Sequence, residues 1–356
     1  MGYDIISLPV TILFVLSGSG LFYYAIRLHQ KYPLDHNFIN SILTFFLWIT
    51  AGIIYPLFFS TVNTNIRFFQ LLSTLFICIF TPSLIVLILF YQYNFVVKKH
   101  PDIREKRNIE TFLKKFDQIS YSRRRKLRTD AHRKALHLVP AGIVIFLWVF
   151  AVYIWDDLWN VNFIWGITGE EFGRFLILTV GYSGILVFGA LDYVRLSFVF
   201  ENRNLFHFIP DNVLNLLSKS MKRKENFDFI RPTVSALSFA PILFFPFCIF
   251  AASILISTVG DGAASLFGLK FGKKKFPKSS EKTIVGYLAG FLASFIIGLI
   301  IVRLFEPAML YIKILLIGIS GGLTFLIIDL LNLRIDDNIL NPIISASIMA
   351  IFYFFI

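Results

Sequence analysis

An acidic residue, a lysine-rich turn and a further lysine follow one another between Gly260 and Gly290. Asp261 lies within an apolar run. An acid at membrane depth costs roughly 2.5 to 3.5 kcal/mol on insertion scales, so it indicates a functional site. Six lysines follow it: Lys270, Lys273, Lys274, Lys275, Lys278 and Lys282. This concentration of positive charge would suit a polyphosphate and its metal ion.

The small residues around Asp261 have two interpretations. If residues 257–272 form a helix, Asp261, Ser265 and two glycines share one face, which something bulky can approach closely. Alternatively, small side chains repeated every four residues form the ridge along which membrane helices pack backbone to backbone. That repeat consists of Gly260, Ala264, Gly268 and Gly272. Packing alone does not explain Asp261, and each lysine taken singly could be a cytoplasmic anchor.

The order and spacing of residues in this stretch resemble the motif of the CTP-dependent polyprenol kinase family, which includes dolichol, phytol and yeast-type diacylglycerol kinases. The matching residues are Asp261, Gly262, Ala264, Gly268, Phe271, Gly272, Pro277, Lys282, Thr283 and Gly286. Val285 and Tyr287 depart from the motif, because some members carry Glu and Ser or Thr at these positions.

The resemblance implies a role for each residue of the motif. Asp261 is expected to be catalytic and to hold a divalent cation, Mg²⁺, because phosphoryl transfer uses an ion that bridges phosphate oxygens. Asp337 is the second candidate ligand of this ion, and Lys282 would compensate the charge that develops on the transferred phosphoryl group. The residues expected to bind the nucleotide are Gly262, Gly268, Gly272, Lys273, Lys274, Thr283, Gly286 and Asn338.

A second cluster, Arg133, Lys134 and His137, would share one face of a helix. Charge alone would make it a basic membrane anchor with an interfacial histidine. The polyprenol kinase family carries a similar Arg-Lys-x-x-His motif, however. The resemblance assigns Arg133 and Lys134 to phosphate binding, and His137 either to the same task or to positioning the acceptor hydroxyl.

Further acids follow later apolar runs. Asp192 and Arg195 lie one turn apart and can form an intramembrane ion pair, which needs no function of its own. Asp329 and the sequence Asp336-Asp337-Asn338 are similar to the acid and Asp-Asn that close the family's sequences. The Asp-Asn pair, which Pro342 follows, could also be only a turn and a helix start. We treat Asp192, Arg195 and Asp329 as second-tier candidates.

Composition predicts an all-α, polytopic membrane helix bundle of about nine to ten transmembrane segments. The chain has 356 residues, of which 56% are hydrophobic, and its mean hydropathy is +0.72. Such a chain is too apolar for a soluble globule. The net charge of +12 lies mostly in connecting segments. This pattern favours contact with anionic membrane lipids and argues against a nucleic-acid partner.

The chain divides into three expected regions. Residues 1–97 would hold N-terminal transmembrane segments, 98–137 a basic cytoplasmic loop, and 138–356 the catalytic transmembrane domain. The loop carries fourteen Lys and Arg against five Asp and Glu, so the positive-inside rule places it in the cytoplasm. Within it, an amphipathic helix on the inner leaflet is expected, with the apolar residues Ile109, Phe112, Leu113, Phe116 and Ile119.

The number of crossings follows from the same rule. Residues 233–269 are too long for one crossing and are interrupted by Pro241 and Pro246, so two segments are expected there, for which a short hairpin is one arrangement. About ten segments result, with both termini outside and the motif residues at the cytoplasmic face. The membrane would be the endoplasmic reticulum in a eukaryote and the cell membrane in a prokaryote.

The leading hypothesis is therefore a kinase that transfers a phosphoryl group from CTP to a membrane lipid alcohol of the polyprenol, phytol or geranylgeraniol type. Diacylglycerol is an alternative acceptor. A phosphatidate cytidylyltransferase is a rival hypothesis, because Ser279 to Thr283 also fit that family's Ser-x-x-Lys-Thr. A transporter would instead use Asp192, Asp261 and Asp329 as midplane ion sites and would show inverted repeats.

Overall fold

The computed structural model describes residues 5–59, 64–117, 123–277, 282–331 and 333–356, without the side chains at 117, 123–126, 128, 129 and 136. It is 84% helical. Within these ranges the only extended pairing is an isolated bridge between Lys275 and Thr283. The prediction of an all-α fold is confirmed. Lys278, Ser279 and Ile119 lie outside the described residues.

In chain order, the helices are α1 (Leu8–Lys31), α2 (Phe38–Phe59), α3 (Thr64–Val97), α4 (Ile103–Lys106), α5 (Ile109–Asp117), α6 (residues 123–158), α7 (Asn162–Trp165), α8 (Gly169–Val199), α9 (Asp211–Ser220), α10 (Arg231–Ile242), α11 (Phe247–Phe271), α12 (Ile284–Phe305), α13 (Tyr311–Leu331) and α14 (Asp337–Phe355). In the described part of the chain, nine helices are long and apolar enough to cross a membrane. The others are α4, α5, α7, α9 and α10. The predicted bundle of nine to ten segments is thus confirmed by length and composition.

The interrupted region 233–269 forms two helices, as expected, but only the second is long enough to span a membrane alone. Helix α10 has 12 residues, which corresponds to about 18 Å against the roughly 30 Å of a bilayer core. Pro246 is not helical and occupies the position directly before α11. Helix α11 then has 25 residues. The expected tenth segment therefore corresponds to α10, which is too short to span a membrane alone.

The chain forms two compact units. Unit 1 comprises Met1–Ile119 and Ile143–Leu237, and unit 2 comprises Ser120–Gly142 and Ser238–Ile356. These units differ from the three expected regions, because residues 143–237 group with the N-terminal helices rather than with the rest of 138–356. In unit 1, the Tyr182 hydroxyl of α8 donates to the Ala51 carbonyl of α2 at 2.8 Å. The Thr179 hydroxyl donates to Ser73 Oγ of α3 at 2.8 Å.

Two phenylalanines on the apolar face of α5 are covered by unit 1 itself. Phe112 and Phe116 are 2% and 6% exposed, and the Phe112 ring lies 5.7 Å from that of Phe206. Arg107, just before α5, donates two hydrogen bonds to Asp211 at the start of α9, at 3.1 and 2.6 Å. Protein therefore covers Phe112 and Phe116, and the position of this helix on the inner leaflet stays a prediction.

Glycines bring the helices of unit 2 into close contact. A Cβ added at Gly298 of α12 would stand 2.8 Å from the Gly318 Cα of α13. A Cβ added at Gly286 of α12 would stand 2.7 Å from the Ala264 carbonyl oxygen of α11. Both distances are shorter than any real Cβ contact. The small residues therefore allow backbone-to-backbone packing, which is typical of membrane helices.

We predict that Gly298→Ala lowers the thermal unfolding midpoint of the purified protein, because α12 and α13 must separate to admit the methyl group. Overpacking of this kind costs about 1 to 3 kcal/mol. The matched control is Gly184→Ala in α8, where an added Cβ meets nothing within 4 Å. The control should leave the midpoint unchanged or raise it, because alanine is the better helix former. Equal effects of the two substitutions would contradict this account.

Candidate functional site

The first turns of α6 present polar side chains to α11. Lys134 Nζ donates to a carboxylate oxygen of Asp261, and the two groups form an ion pair. The side chain of Lys134 is 8% exposed and that of Asp261 is 23% exposed. A Cβ added at Gly262 would stand 3.8 Å from the Lys134 Cβ, so the glycine next to Asp261 faces the same lysine. Two residues predicted from separate motifs thus meet in unit 2.

A second ion pair lies where α12 begins and α13 ends. Lys282 Nζ donates to the Asp329 carboxylate at 2.6 Å and to the Asp329 carbonyl oxygen at 3.1 Å. The Lys282 side chain is 36% exposed and that of Asp329 is 12% exposed. The second-tier residue Asp329 is therefore the direct partner of a first-tier residue.

Local hydrogen bonds fix the position of Lys282. Thr283 caps α12, because its hydroxyl accepts from the Gly286 amide at 3.2 Å. The Phe276 amide donates to the Lys282 carbonyl at 3.1 Å, and the Tyr287 hydroxyl donates to the Phe276 carbonyl at 2.9 Å. The departure from the family motif at Tyr287 thus has a structural role here, since its hydroxyl holds the lysine-rich turn.

The two ion pairs belong to one electrostatic group. Asp329 interacts with the charges of Asp261 and Asp337 as well as with Lys282. Burial lowers the pKa of Lys282, but attraction to Asp329 and the hydrogen bond to it, with a smaller contribution from Asp337, outweigh burial, so this pKa is raised. Two lysines and three carboxylates from five neighbouring segments of unit 2 therefore share one site.

The start of α14 is built as a helix cap. Asp336 accepts a hydrogen bond from the Asn338 amide at 2.9 Å and from the Asn338 side chain at 2.7 Å. The Ser238 hydroxyl donates to the Asn338 carbonyl at 2.9 Å. Asn338 thus serves the helix start, while the neighbouring Asp337 contributes its charge to the site.

The remaining residues expected to bind the nucleotide lie in two settings. A Cβ added at Gly268 would stand 3.0 Å from the Thr283 hydroxyl oxygen, and one at Gly272 would stand 2.7 Å from the Thr283 Cβ. Helix α12 therefore packs against the glycine-containing face of α11. In these contacts, Gly268, Gly272 and Gly286 serve the packing of the two helices. Lys273 and Lys274 are exposed. Nucleotide binding by these residues stays a prediction.

Asp130 and Ser265 complete the contact between α6 and α11, and neither was a predicted site residue. One carboxylate oxygen of Asp130 accepts from Arg133 and the other accepts from the Ser265 hydroxyl. The spacing of three residues between Asp130 and Arg133 was a usable signal for a helical ion pair. His137 lies one turn further along α6 and is of intermediate exposure.

Asp192 and Arg195 form a separate network in unit 1. Asp192 is 0% exposed and Arg195 is 1% exposed. Arg195 donates to the Asp192 carboxylate at 2.7 and 3.2 Å and to the Asn226 carbonyl at 2.7 Å. The same carboxylate accepts from the Ile230 amide and the Thr233 hydroxyl, each at 3.2 Å. The predicted ion pair exists, and its contacts tie α8 to the start of α10.

The two carboxylates expected to hold Mg²⁺ already have partners within the protein. Asp261 and Asp337 offer the carboxylate oxygens that Mg²⁺ prefers. Lys134 already neutralises Asp261, and Asp337 accepts from the Asn338 side chain at 3.3 Å. In the part of the chain that the structure describes, no three His, Cys, Asp or Glu residues are grouped closely enough to hold an ion. Metal binding by Asp261 and Asp337 stays a prediction.

We predict that the stabilising effect of Lys282 disappears at high pH. Because the pKa of Lys282 is raised on folding, its contribution is complete below the unfolded-state pKa and is lost as the pH rises through the folded-state pKa. The difference in thermal midpoint between the wild type and Lys282→Met should therefore be large at neutral pH and shrink above pH 10.5, the ordinary pKa of lysine.

The matched control for this measurement is Lys274→Met, which removes an exposed lysine from the same turn. Its midpoint should follow that of the wild type at every pH. A constant difference between the wild type and Lys282→Met across this range would show that the ion pair with Asp329 is not what stabilises the fold.

No family model, curated protein or solved structure matches this chain. The resemblance to the polyprenol kinase family rests on the motif residues themselves, and the activity that it implies is a proposal.

Proposed function

We propose that this protein is a CTP-dependent kinase that phosphorylates a membrane lipid alcohol to its monophosphate. The observation that carries the proposal is the electrostatic group in unit 2, in which Lys134 pairs with Asp261 and Lys282 pairs with Asp329. Asp337 adds a third carboxylate within range of both Lys282 and Asp329. Ionisable side chains among membrane helices indicate function by default.

Such a group suits phosphoryl transfer, which depends mainly on positioning and on compensation of charge. Lys282 is the more accessible of the two lysines, with 36% of its side chain exposed against 8% for Lys134. Its charge would stabilise the transferred phosphoryl group. Lys273 and Lys274, exposed in the same turn, would attract the other phosphates of CTP.

The reaction balances with the groups proposed. The oxygen of the lipid hydroxyl forms a bond to the γ-phosphorus of CTP, and the bond from that phosphorus to the β,γ-bridging oxygen breaks. CDP leaves with the electron pair, and the hydroxyl proton passes to a carboxylate of the site. The products are the lipid monophosphate and CDP. A membrane fold suits this reaction, because the tail of the acceptor is confined to the bilayer.

We propose that the site faces the cytoplasm. Lys282 precedes α12 and Asp337 opens α14, so both lie at helix ends. The lysine-rich turn that precedes α12 is strongly basic, and the positive-inside rule assigns such turns to the cytoplasm. By the resemblance, the acceptor is a polyprenol-type alcohol rather than diacylglycerol, and the membrane is the endoplasmic reticulum or the cell membrane according to the organism.

We predict that membranes containing the protein transfer label from γ-labelled CTP to a lipid alcohol, when dolichol, phytol, geranylgeraniol and diacylglycerol are offered in turn. Asp261→Ala and Lys282→Ala should each abolish this transfer, since each removes one member of an ion pair in the site. Arg174→Gln, which removes an exposed arginine on α8, should retain full activity. Normal membrane insertion of all three variants is the necessary control.

Labelling at the α-phosphate separates the rival activity. Transfer of the α label into lipid from CTP and phosphatidate would identify a cytidylyltransferase and rule out the kinase. Full activity of both Asp261→Ala and Lys282→Ala would show that the site takes no part in the reaction, whichever lipid is the acceptor.

A further inference from the structure

Arg133 and Asp130 are both largely buried beside the site. The Arg133 side chain is 6% exposed and that of Asp130 is 12% exposed, whereas that of Lys282 is 36% exposed. A phosphate that enters the site from solvent therefore reaches Lys282 before it reaches Arg133. The burial of Arg133 is unexpected from the resemblance, which assigns this residue to phosphate binding.

Asp130 connects the two helices that carry the first ion pair. One of its oxygens accepts from Arg133 on the same helix, and the other accepts from Ser265 on α11. Ser265 lies one helical turn after Asp261, and Lys134 follows Arg133 directly. The contact between Asp130 and Ser265 therefore fixes the rotation and the axial position of α6 relative to α11. This placement brings Lys134 to Asp261.

Charge balance explains why an arginine is needed beside this acid. A buried carboxylate is strongly unfavourable unless it is paired and hydrogen-bonded, and the same holds for a buried guanidinium. Arg133 neutralises Asp130 and leaves its second oxygen available to Ser265. The pair as a whole is neutral, so it holds α6 against α11 without changing the net charge of the site.

We infer that Asp130 and Arg133 are positioning residues that set the Lys134 and Asp261 pair, and that Arg133 does not itself contact the phosphates of the substrate. This inference rests on the proposed function in one respect, namely that the site binds a polyphosphate. It departs from the resemblance, under which Arg133 and Lys134 would both be phosphate ligands.

The test compares the single variants Asp130→Asn and Arg133→Gln with the double variant. The readout is the affinity for inorganic tripolyphosphate, measured from the rise of the thermal midpoint of the full-length protein in detergent. Each single substitution leaves one buried charge without its counter-charge and should weaken binding about tenfold, as is usual when a supporting partner is lost. The double variant is neutral and can still hydrogen-bond, so its affinity should return to within about threefold of the wild type.

A direct role of Arg133 gives a different result. If Arg133 contacts phosphate, the double variant will bind tripolyphosphate as weakly as Arg133→Gln alone, and the inference is overturned. Lys282→Gln, which removes the more accessible lysine of the site, serves as the reference for lost binding that no substitution at Asp130 restores. Arg174→Gln is the control for the loss of an arginine elsewhere.

If the double variant does not fold, Ser265→Ala provides a second test of the inference. This substitution leaves the Arg133 and Asp130 pair in place and removes only the contact with α11. Binding of tripolyphosphate should weaken if the pair acts by positioning, and an unchanged affinity would overturn the inference. A wild-type protein that does not bind tripolyphosphate would overturn it as well.

The two proposals can fail separately, because binding of tripolyphosphate requires no transfer reaction. Restored binding in the double variant, together with a wild type that phosphorylates no lipid alcohol, would support the inference and reject the kinase. Transfer of γ label by the wild type, without restored binding in the double variant, would support the kinase and reject the inference.

Discussion

The arrangement of unit 2 depends on one constraint: a carboxylate among membrane helices must be neutralised by a nearby cation. Asp261 on α11 meets Lys134 on α6, and Asp329 on α13 meets Lys282 just before α12. Each pair joins two segments that are far apart in the chain. The requirement for charge balance therefore determines which segments come together, and it produces a polar site as a consequence.

Close packing and charge pairing support each other in this unit. Gly268 and Gly286 let α11 and α12 approach until backbone atoms are in contact. The cap formed by Thr283 fixes the first turn of α12, and Lys282 precedes that cap directly. The glycines of the motif thus act on the site through the position of α12. A motif of this kind can combine residues that bind a substrate with residues that only allow helices to meet.

Much of the fold could be predicted from the sequence, because hydropathy over about twenty residues is a strong signal for a membrane helix. The placement of the short or amphipathic helices could not be predicted from the sequence. Helix α10 is too short for its length alone to show whether it crosses. The amphipathic helix α5 has the same pattern whether a membrane or a protein surface covers it, and here Phe206 and its neighbours cover Phe112. An apolar face indicates burial but does not identify what buries it.

In the site, the identities of the residues were predictable and their partners were not. Asp261, Lys134 and Lys282 were expected from their motifs, but the spacing of residues gives no information on pairing between helices. The pairing of Asp329 with Lys282 was not foreseen for this reason. Asp130 was missed, although its spacing from Arg133 resembles that of Asp192 and Arg195, which was recognised. A local pair within one helix can be seen in a sequence, whereas a pair between helices requires the fold.

The π-helical turn at Ile256–Gly260 lies directly before Asp261, and such turns often occur at functional sites. A π-helical turn holds one residue more than a regular turn, so the two halves of α11 follow different helical phases. The half before the turn packs among apolar residues, while the half after it directs Asp261 and Ser265 towards α6. Removing a single residue from this turn would swing both side chains around the helix axis by about 100°. The direction of the acid is thus encoded by the length of the segment rather than by any one of its side chains.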